Sequence, residues 1–251
     1  MLVALAMTGP MFGFGTWASF SAAAPAMPHG LDFTVESTNW AGYAVTGSSG
    51  SVSQVTGSWV QPSVSCSRST TYAAFWDGID GYSSDTVEQA GTLAYCSGDH
   101  AYYYAWYEFY PAASVEISSL SVTPGSTVSV TVSYVSSASD FSITVAVGAS
   151  SVTKTGTVSG AERTSAECIA ERPEVNGRLA SLADFGTAKF GADATSTIGC
   201  GATVSGTTGT FGSFSTAVAI NMVDSSGRAL STTGALSSDG SSFTETWDAS
   251  S

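Results

Sequence analysis

Residues 126–134 put Val128, Val130 and Val132 on one side of the chain and Thr127, Ser129, Thr131 and Ser133 on the other. A period of two is that of an antiparallel strand with one face buried and one face wet. Similar β-branched and aromatic runs occupy 52–60, 71–79, 101–110, 141–147, 165–171, 185–190, 217–223 and 243–247. Turn residues separate them, as in Thr123-Pro124-Gly125, Asp224-Ser225-Ser226-Gly227 and Ser238-Asp239-Gly240. No ten-residue stretch carries a helical period. With 251 residues, the pattern predicts one all-β domain over residues 31–251, an antiparallel β-sandwich.

Charge then narrows the partners. Seven Lys and Arg face 20 Asp and Glu, a net charge of −13, and charged residues make up only 11% of the chain. Seven scattered cations cannot neutralise a phosphate track or hold an anionic membrane surface, so nucleic-acid and membrane partners are excluded. A surplus of acids suits a protein working at low pH, where protonation relieves its self-repulsion. Aromatic residues reach 11%, which argues against a disordered chain.

Residues 1–30 read as an export leader. The stretch 1–15 is apolar and small, and Ala22-Ala23-Ala24-Pro25-Ala26 resembles a cleavage region. Gly9-Pro10, Gly13 and Gly15 break the run before it reaches membrane-spanning length. A secreted, extracellular monomer is expected, with 27–35 leaving room for only a short pro-segment. In an exported chain the four cysteines, Cys66, Cys96, Cys168 and Cys200, are disulfide candidates with three possible pairings. Joining sequence neighbours gives Cys66–Cys96 and Cys168–Cys200, each closure contributing roughly 3–4 kcal/mol. No Cys-x-x-Cys supports a metal site, and no metal or organic cofactor is implied.

Common hydrolase constellations are missing. There is no Gly-x-Ser-x-Gly elbow, no His-Glu-x-x-His and no Asp-Thr/Ser-Gly signature, and His29 and His100 are the only histidines. Acids and aromatics instead gather in Phe75-Trp76-Asp77-Gly78-Ile79-Asp80-Gly81 with Val87-Glu88-Gln89-Ala90-Gly91, in Ala105-Trp106-Tyr107-Glu108-Phe109-Tyr110-Pro111, and in Ala166-Glu167-Cys168-Ile169-Ala170-Glu171-Arg172-Pro173. Strand alternation places Trp106, Glu108 and Tyr110 on one face, and Glu167, Ile169 and Glu171 on one face of another strand. Three such clusters in a chain so poor in charge point to a shared cleft.

These segments, with Leu182-Ala183-Asp184-Phe185-Gly186, the opening Thr38-Asn39-Trp40-Ala41-Gly42-Tyr43 and the ending around Ser238-Asp239-Gly240, resemble in order the eqolisin family of glutamic endopeptidases. The resemblance implies a concanavalin-like sandwich of two large sheets, one bent into a cleft, and an acid-acting, pepstatin-insensitive enzyme that hydrolyses polypeptides. It implies Gln89 and Glu171 as the catalytic dyad, with Trp76, Asp80, Trp106, Glu108 and Tyr110 lining the cleft. The chain departs from the family pattern at Asp77, Tyr104, Cys168 and Pro173, where small or apolar, acidic, aromatic and aromatic residues are found.

Glu171 is expected to activate water, with the Gln89 amide stabilising the oxyanion. Base action in acid requires hydrogen bonds that keep the Glu171 pKa near or below about 4.3, and activity falling toward neutral pH. Glu88 is expected to face solvent away from Gln89, and Glu167 to be structural or supporting. Two other functions use the same residue types. A glycoside hydrolase would pair Glu108 with Glu171, and a carbohydrate-binding sandwich would use the exposed aromatics without catalysis.

Overall fold

The computed structural model describes residues 33–136 and 140–250; the expected leader lies outside the described residues. The strands are β1 (Phe33–Ser37), β2 (Trp40–Thr46), β3 (Val52–Val60), β4 (Thr71–Ile79), β5 (Val87–Ser97), β6 (His100–Tyr110) and β7 (Val115–Glu116). There follow β8 (Thr127–Val135), β9 (Asp140–Val147), β10 (Ser150–Gly156), β11 (Ser165–Glu171), β12 (Glu174–Val175), β13 (Arg178–Leu179) and β14 (Thr187–Phe190). A single helical turn, α1 (Ala192–Thr195), precedes β15 (Gly201–Val204), β16 (Thr207–Thr210), β17 (Ala217–Val223), β18 (Ala229–Thr233) and β19 (Phe243–Trp247).

The front sheet runs β7-β6-β5-β4-β11-β2-β17-β1. Its pairs are antiparallel except β1 with β17, which is parallel. The back sheet runs β10-β9-β8-β3, and β3 then carries β15–β16 along its first half and β14–β19–β18 at its far end. Pairing of β18 with β17 joins the two sheets at one side.

Between the sheets lies the main core, with Trp59, Phe75, Phe141, Ile143, Phe190 and Phe211 wholly buried. Strand β8 shows the expected one-sided pattern, with Val128, Val130 and Val132 buried and Thr127, Ser129, Thr131 and Ser133 half-exposed. Strands β4, β5 and β11 do not; they are buried almost throughout. Their outer face carries a second apolar cluster that includes Trp40, Ala74, Trp76, Leu93, Trp106 and Ile169. Burial on both faces costs these strands their alternation.

Two crosslinks hold the layers. Cys66 bonds Cys96 and Cys168 bonds Cys200, with Cα separations of 5.4 and 6.4 Å, so both neighbour pairings form. The Trp59 indole N–H also crosses the core to donate to Thr92 Oγ1 at 3.1 Å.

Candidate active site

Because side chains alternate and the central strands are in register, the cleft face is built of rows that cross β11, β4, β5 and β6. One row is Glu167, Gly78, Gln89 and Glu108; the next is Ile169, Trp76, Gly91 and Trp106; the third is Glu171, Ala74, Leu93 and Tyr104. Gln89 and Glu171 therefore share one face, on either side of the row formed by Trp76, Gly91 and Trp106. Gly91 contributes no side chain between the two indoles, because Trp76 passes too close to its backbone to leave room for one.

Glu171 is fully buried at the end of β11. Trp76 Nε1 donates to its Oε2 at 2.8 Å and Asn39 Nδ2 to its Oε1 at 3.3 Å. Trp40, opposite Glu171 in the β2 register, sets its ring edge-on against Trp76 at 4.7 Å. The backbone N–H of Arg172 donates to the Asn39 carbonyl at 2.9 Å and pins this corner. Burial pushes the Glu171 pKa up to about 8, while Trp76, Asn39 and Trp40 hold it lower than burial alone would. This corrects the expectation of a pKa near or below the ordinary value: three N–H donors do not offset complete removal from water.

Gln89 is likewise buried, and its Nε2 donates to Glu108 Oε2 at 2.6 Å. Among the described residues, Gln89 Oε1 and Glu108 Oε1 find no hydrogen-bond partner. Burial holds the Glu108 carboxyl well above its ordinary range, the Gln89 donor opposes this, and the charge of Glu171 adds to it. Glu108 and Glu171 are therefore close enough to repel when ionised.

Of the expected lining residues, Trp76 and Trp106 form the floor, each almost wholly buried, and half-buried Tyr110 stands opposite Val87 at the rim. Asp80 has a different task. In a left-handed conformation (φ 71°), it accepts from the backbone N–H groups of Arg163 and Thr164 at 2.6 and 2.8 Å and from the Thr164 hydroxyl at 3.1 Å. That arrangement clamps the loop entering β11 and leaves the carboxylate little capacity for substrate.

Glu88 does not face solvent. It is wholly buried on the inner face of β5, opposite Ile79 and Phe109, because the back sheet covers that side. Burial, reinforced by Asp80, raises its pKa to about 9. Glu167 is also wholly buried, and burial first, then Asp80 and Glu88, keeps its carboxyl well above the usual range. Asp77 and Cys168, two of the departures from the family pattern, are direct cross-strand partners. Asp77 is buried against Gly57, its pKa raised well above normal by burial. Its carboxylate and the two sulfurs of Cys168–Cys200 lie within 4.8 Å of one another, but those sulfurs are bonded to each other. Asn39 and Trp40 escaped assignment from sequence. Their only signal was the Asn-Trp pair opening β2, which names no partner 132 residues away.

Residues 38–245 match the Peptidase A4 family. Aspergillopepsin-2 of Aspergillus niger is 33% identical over 186 residues, covering 64% of this chain and 65% of its own length, just under two thirds of that relative. Scytalido-glutamic peptidase, solved with a transition state analog inhibitor, is similar in fold with a TM-score of 0.69 over 84% of this chain and 98% of that one, at 24% identity. Aspergilloglutamic peptidase from Aspergillus niger is 32% identical, with a TM-score of 0.60 over 71% of this chain and 99% of its own. With its antiparallel β-sandwich, and residues 38–245 matching the family, the chain belongs to the Peptidase A4 family, the eqolisin glutamic peptidases.

Proposed function

We propose that this chain is a secreted acid endopeptidase in which Glu171 and Gln89 hydrolyse peptide bonds without a covalent intermediate. The observation that carries the reading is the donor cage around Glu171, on the same sheet face as a Gln89 amide held by Glu108. Family membership supports polypeptide substrates. The leader-like start and the two disulfides support export.

A raised pKa makes neutral Glu171 the working form in acid. Its O–H protonates the scissile carbonyl oxygen while its other oxygen takes a proton from the attacking water, and a C–O bond forms. Glu171 then passes that proton to the amide nitrogen and recovers one from the tetrahedral intermediate as the C–N bond breaks. The products are an acid and an amine, and Glu171 ends protonated. Glu108 Oε2 accepts from Gln89 Nε2 and fixes the carboxamide, leaving the second Nε2 hydrogen for the substrate. That hydrogen stabilises the scissile carbonyl oxygen as negative charge develops on it, an interaction worth roughly 3–4 kcal/mol of barrier.

The test is digestion of a denatured protein across acid pH, with pepstatin and a chelator as controls. Cleavage is expected to survive both additions and to disappear in folded Gln89→Ala and Glu171→Ala variants. An active Gln89→Ala enzyme, or hydrolysis of glycans in place of protein, would overturn the assignment. Because the proton-bearing form acts, kcat/KM should hold in acid and fall as pH rises through about 8. A rate climbing from acid to alkaline pH would instead demand an ionised Glu171.

A further inference from the structure

Beyond the Glu171 row, the cleft face carries one more row. Tyr72 on β4, Tyr95 on β5 and Tyr102 on β6 stand directly opposite one another. Their rings stack, Tyr72 on Tyr95 at 5.6 Å and Tyr95 on Tyr102 at 4.9 Å, each pair 17° from coplanar. Tyr104, where the family pattern has an acid, meets Tyr95 edge-on at 6.3 Å. The row is not core: Tyr102 is 42% exposed, and Tyr72, Tyr95 and Tyr104 are half-buried.

Position gives this platform a role. Tyr95 lies six residues from Gln89 along β5, and Tyr72 two residues from Ala74, the partner of Glu171. At about 3.4 Å per residue, the row sits about 20 Å from Gln89 and about 7 Å beyond the Glu171 row. An extended polypeptide cut between Gln89 and Glu171 and continuing along the same face reaches it two to four residues from the scissile bond. Between the tyrosine row and Gln89 lie Leu93 and Ala74, both apolar and buried.

We propose that the Tyr72–Tyr95–Tyr102 row, with Tyr104, is an extended subsite that stacks an aromatic side chain of the polypeptide substrate two to four residues from the cleaved bond. The inference rests on the endopeptidase reading. Ring-on-ring contact accounts for the preference, since offset stacking and edge contacts favour aromatic over aliphatic side chains. Glu116, exposed at the edge on β7 and opposite Trp106, puts a negative charge beside Tyr95 and Tyr104. A basic residue next to the aromatic one is therefore favoured and an acidic one disfavoured.

Two quenched peptides sharing one cleaved bond test this. The short one ends one residue from that bond on each side; the long one runs six residues each way, with Phe placed in turn at each outer position. The wild type is expected to prefer the long peptide by about ten-fold in kcat/KM, the scale of one aromatic contact, and only with Phe two to four residues out. Tyr95→Ala and Tyr102→Ala should collapse that long-to-short ratio toward one, while Tyr95→Phe should keep it. Tyr102, being exposed, supplies the informative variant if Tyr95→Ala fails to fold. Equal rates on both peptides, or an unchanged ratio in Tyr102→Ala, would overturn the subsite while leaving the endopeptidase reading intact. Failure of the folded wild type to cut either peptide would instead strike the endopeptidase reading. Saturable binding of a soluble oligosaccharide, lost in Tyr102→Ala, would reassign the row to glycans and overturn the proposal.

Discussion

At the scale of single residues, two carboxylic acids determine what the cleft can do. Glu108 and Glu171 are both buried and both held above the ordinary carboxylate range, so in acid each is a hydrogen-bond donor. If neutral Glu108 serves only to orient Gln89, an amide should replace it. Glu108→Gln is expected to keep kcat within about ten-fold of wild type, whereas Glu108→Ala loses about 100-fold, the scale of one misplaced oxyanion donor. Equal loss in both variants would show that an ionised carboxylate is needed. Trp76 acts on Glu171 through its indole N–H. Trp76→Phe keeps the ring and removes a donor that lowers the Glu171 pKa, so the alkaline limb of the pH–rate profile should move to higher pH. Turnover should also drop by about 10- to 100-fold, the worth of one hydrogen bond to an ionisable group. A limb that stays in place or moves down would remove Trp76 from the control of Glu171.

At the scale of elements, the site depends on how closely β4 and β5 pass. A Cβ on Gly91 would lie 2.7 Å from the Trp76 Cβ and collide with the Phe75 carbonyl. Gly91→Ala should therefore cost about 1–3 kcal/mol in urea unfolding and displace Trp76, so activity and stability fall together. A variant of wild-type stability would mean the strand pair can yield there. The departures at Asp77 and Cys168 are likewise fixed by neighbouring strands. Asp77 and Cys168 face each other across strands, and Gly57 leaves the space into which the Asp77 carboxyl packs.

At the scale of the whole molecule, buried acids tie stability to pH. Glu88, Glu171 and Glu245 have pKa values raised to about 9, 8 and 8, chiefly by burial, and Asp77, Glu108 and Glu167 are displaced the same way. The folded state keeps protons that the unfolded chain releases above about pH 4.3. Stability from these groups is therefore complete in acid and lost as pH rises from there toward 8–9. The net charge of −13 adds repulsion in the same direction. Calorimetry at pH 3.5, 5, 6.5 and 8, values chosen on the order of these transitions, should give a falling Tm, and Glu88→Gln should flatten the fall. A Tm that rises toward neutrality would contradict the burial of these groups as neutral acids.

The sequence alone determined the strand periods, and with them which residues share a face. Trp106, Glu108 and Tyr110, and likewise Glu167, Ile169 and Glu171, alternate as read because a strand repeats every two residues whatever surrounds it. It also carried the ordered motifs by which the family is recognised. Whether the other face of each strand meets water or protein was decided only by tertiary structure. That is why Glu88 was misread as solvated, why Asp80 turned out to clamp a loop, and why the Glu171 pKa moved up instead of down. Asn39 and Trp40 belong to the same class. Burial and long-range partners depend on which sheet lies overhead, and no local pattern along a single strand encodes that.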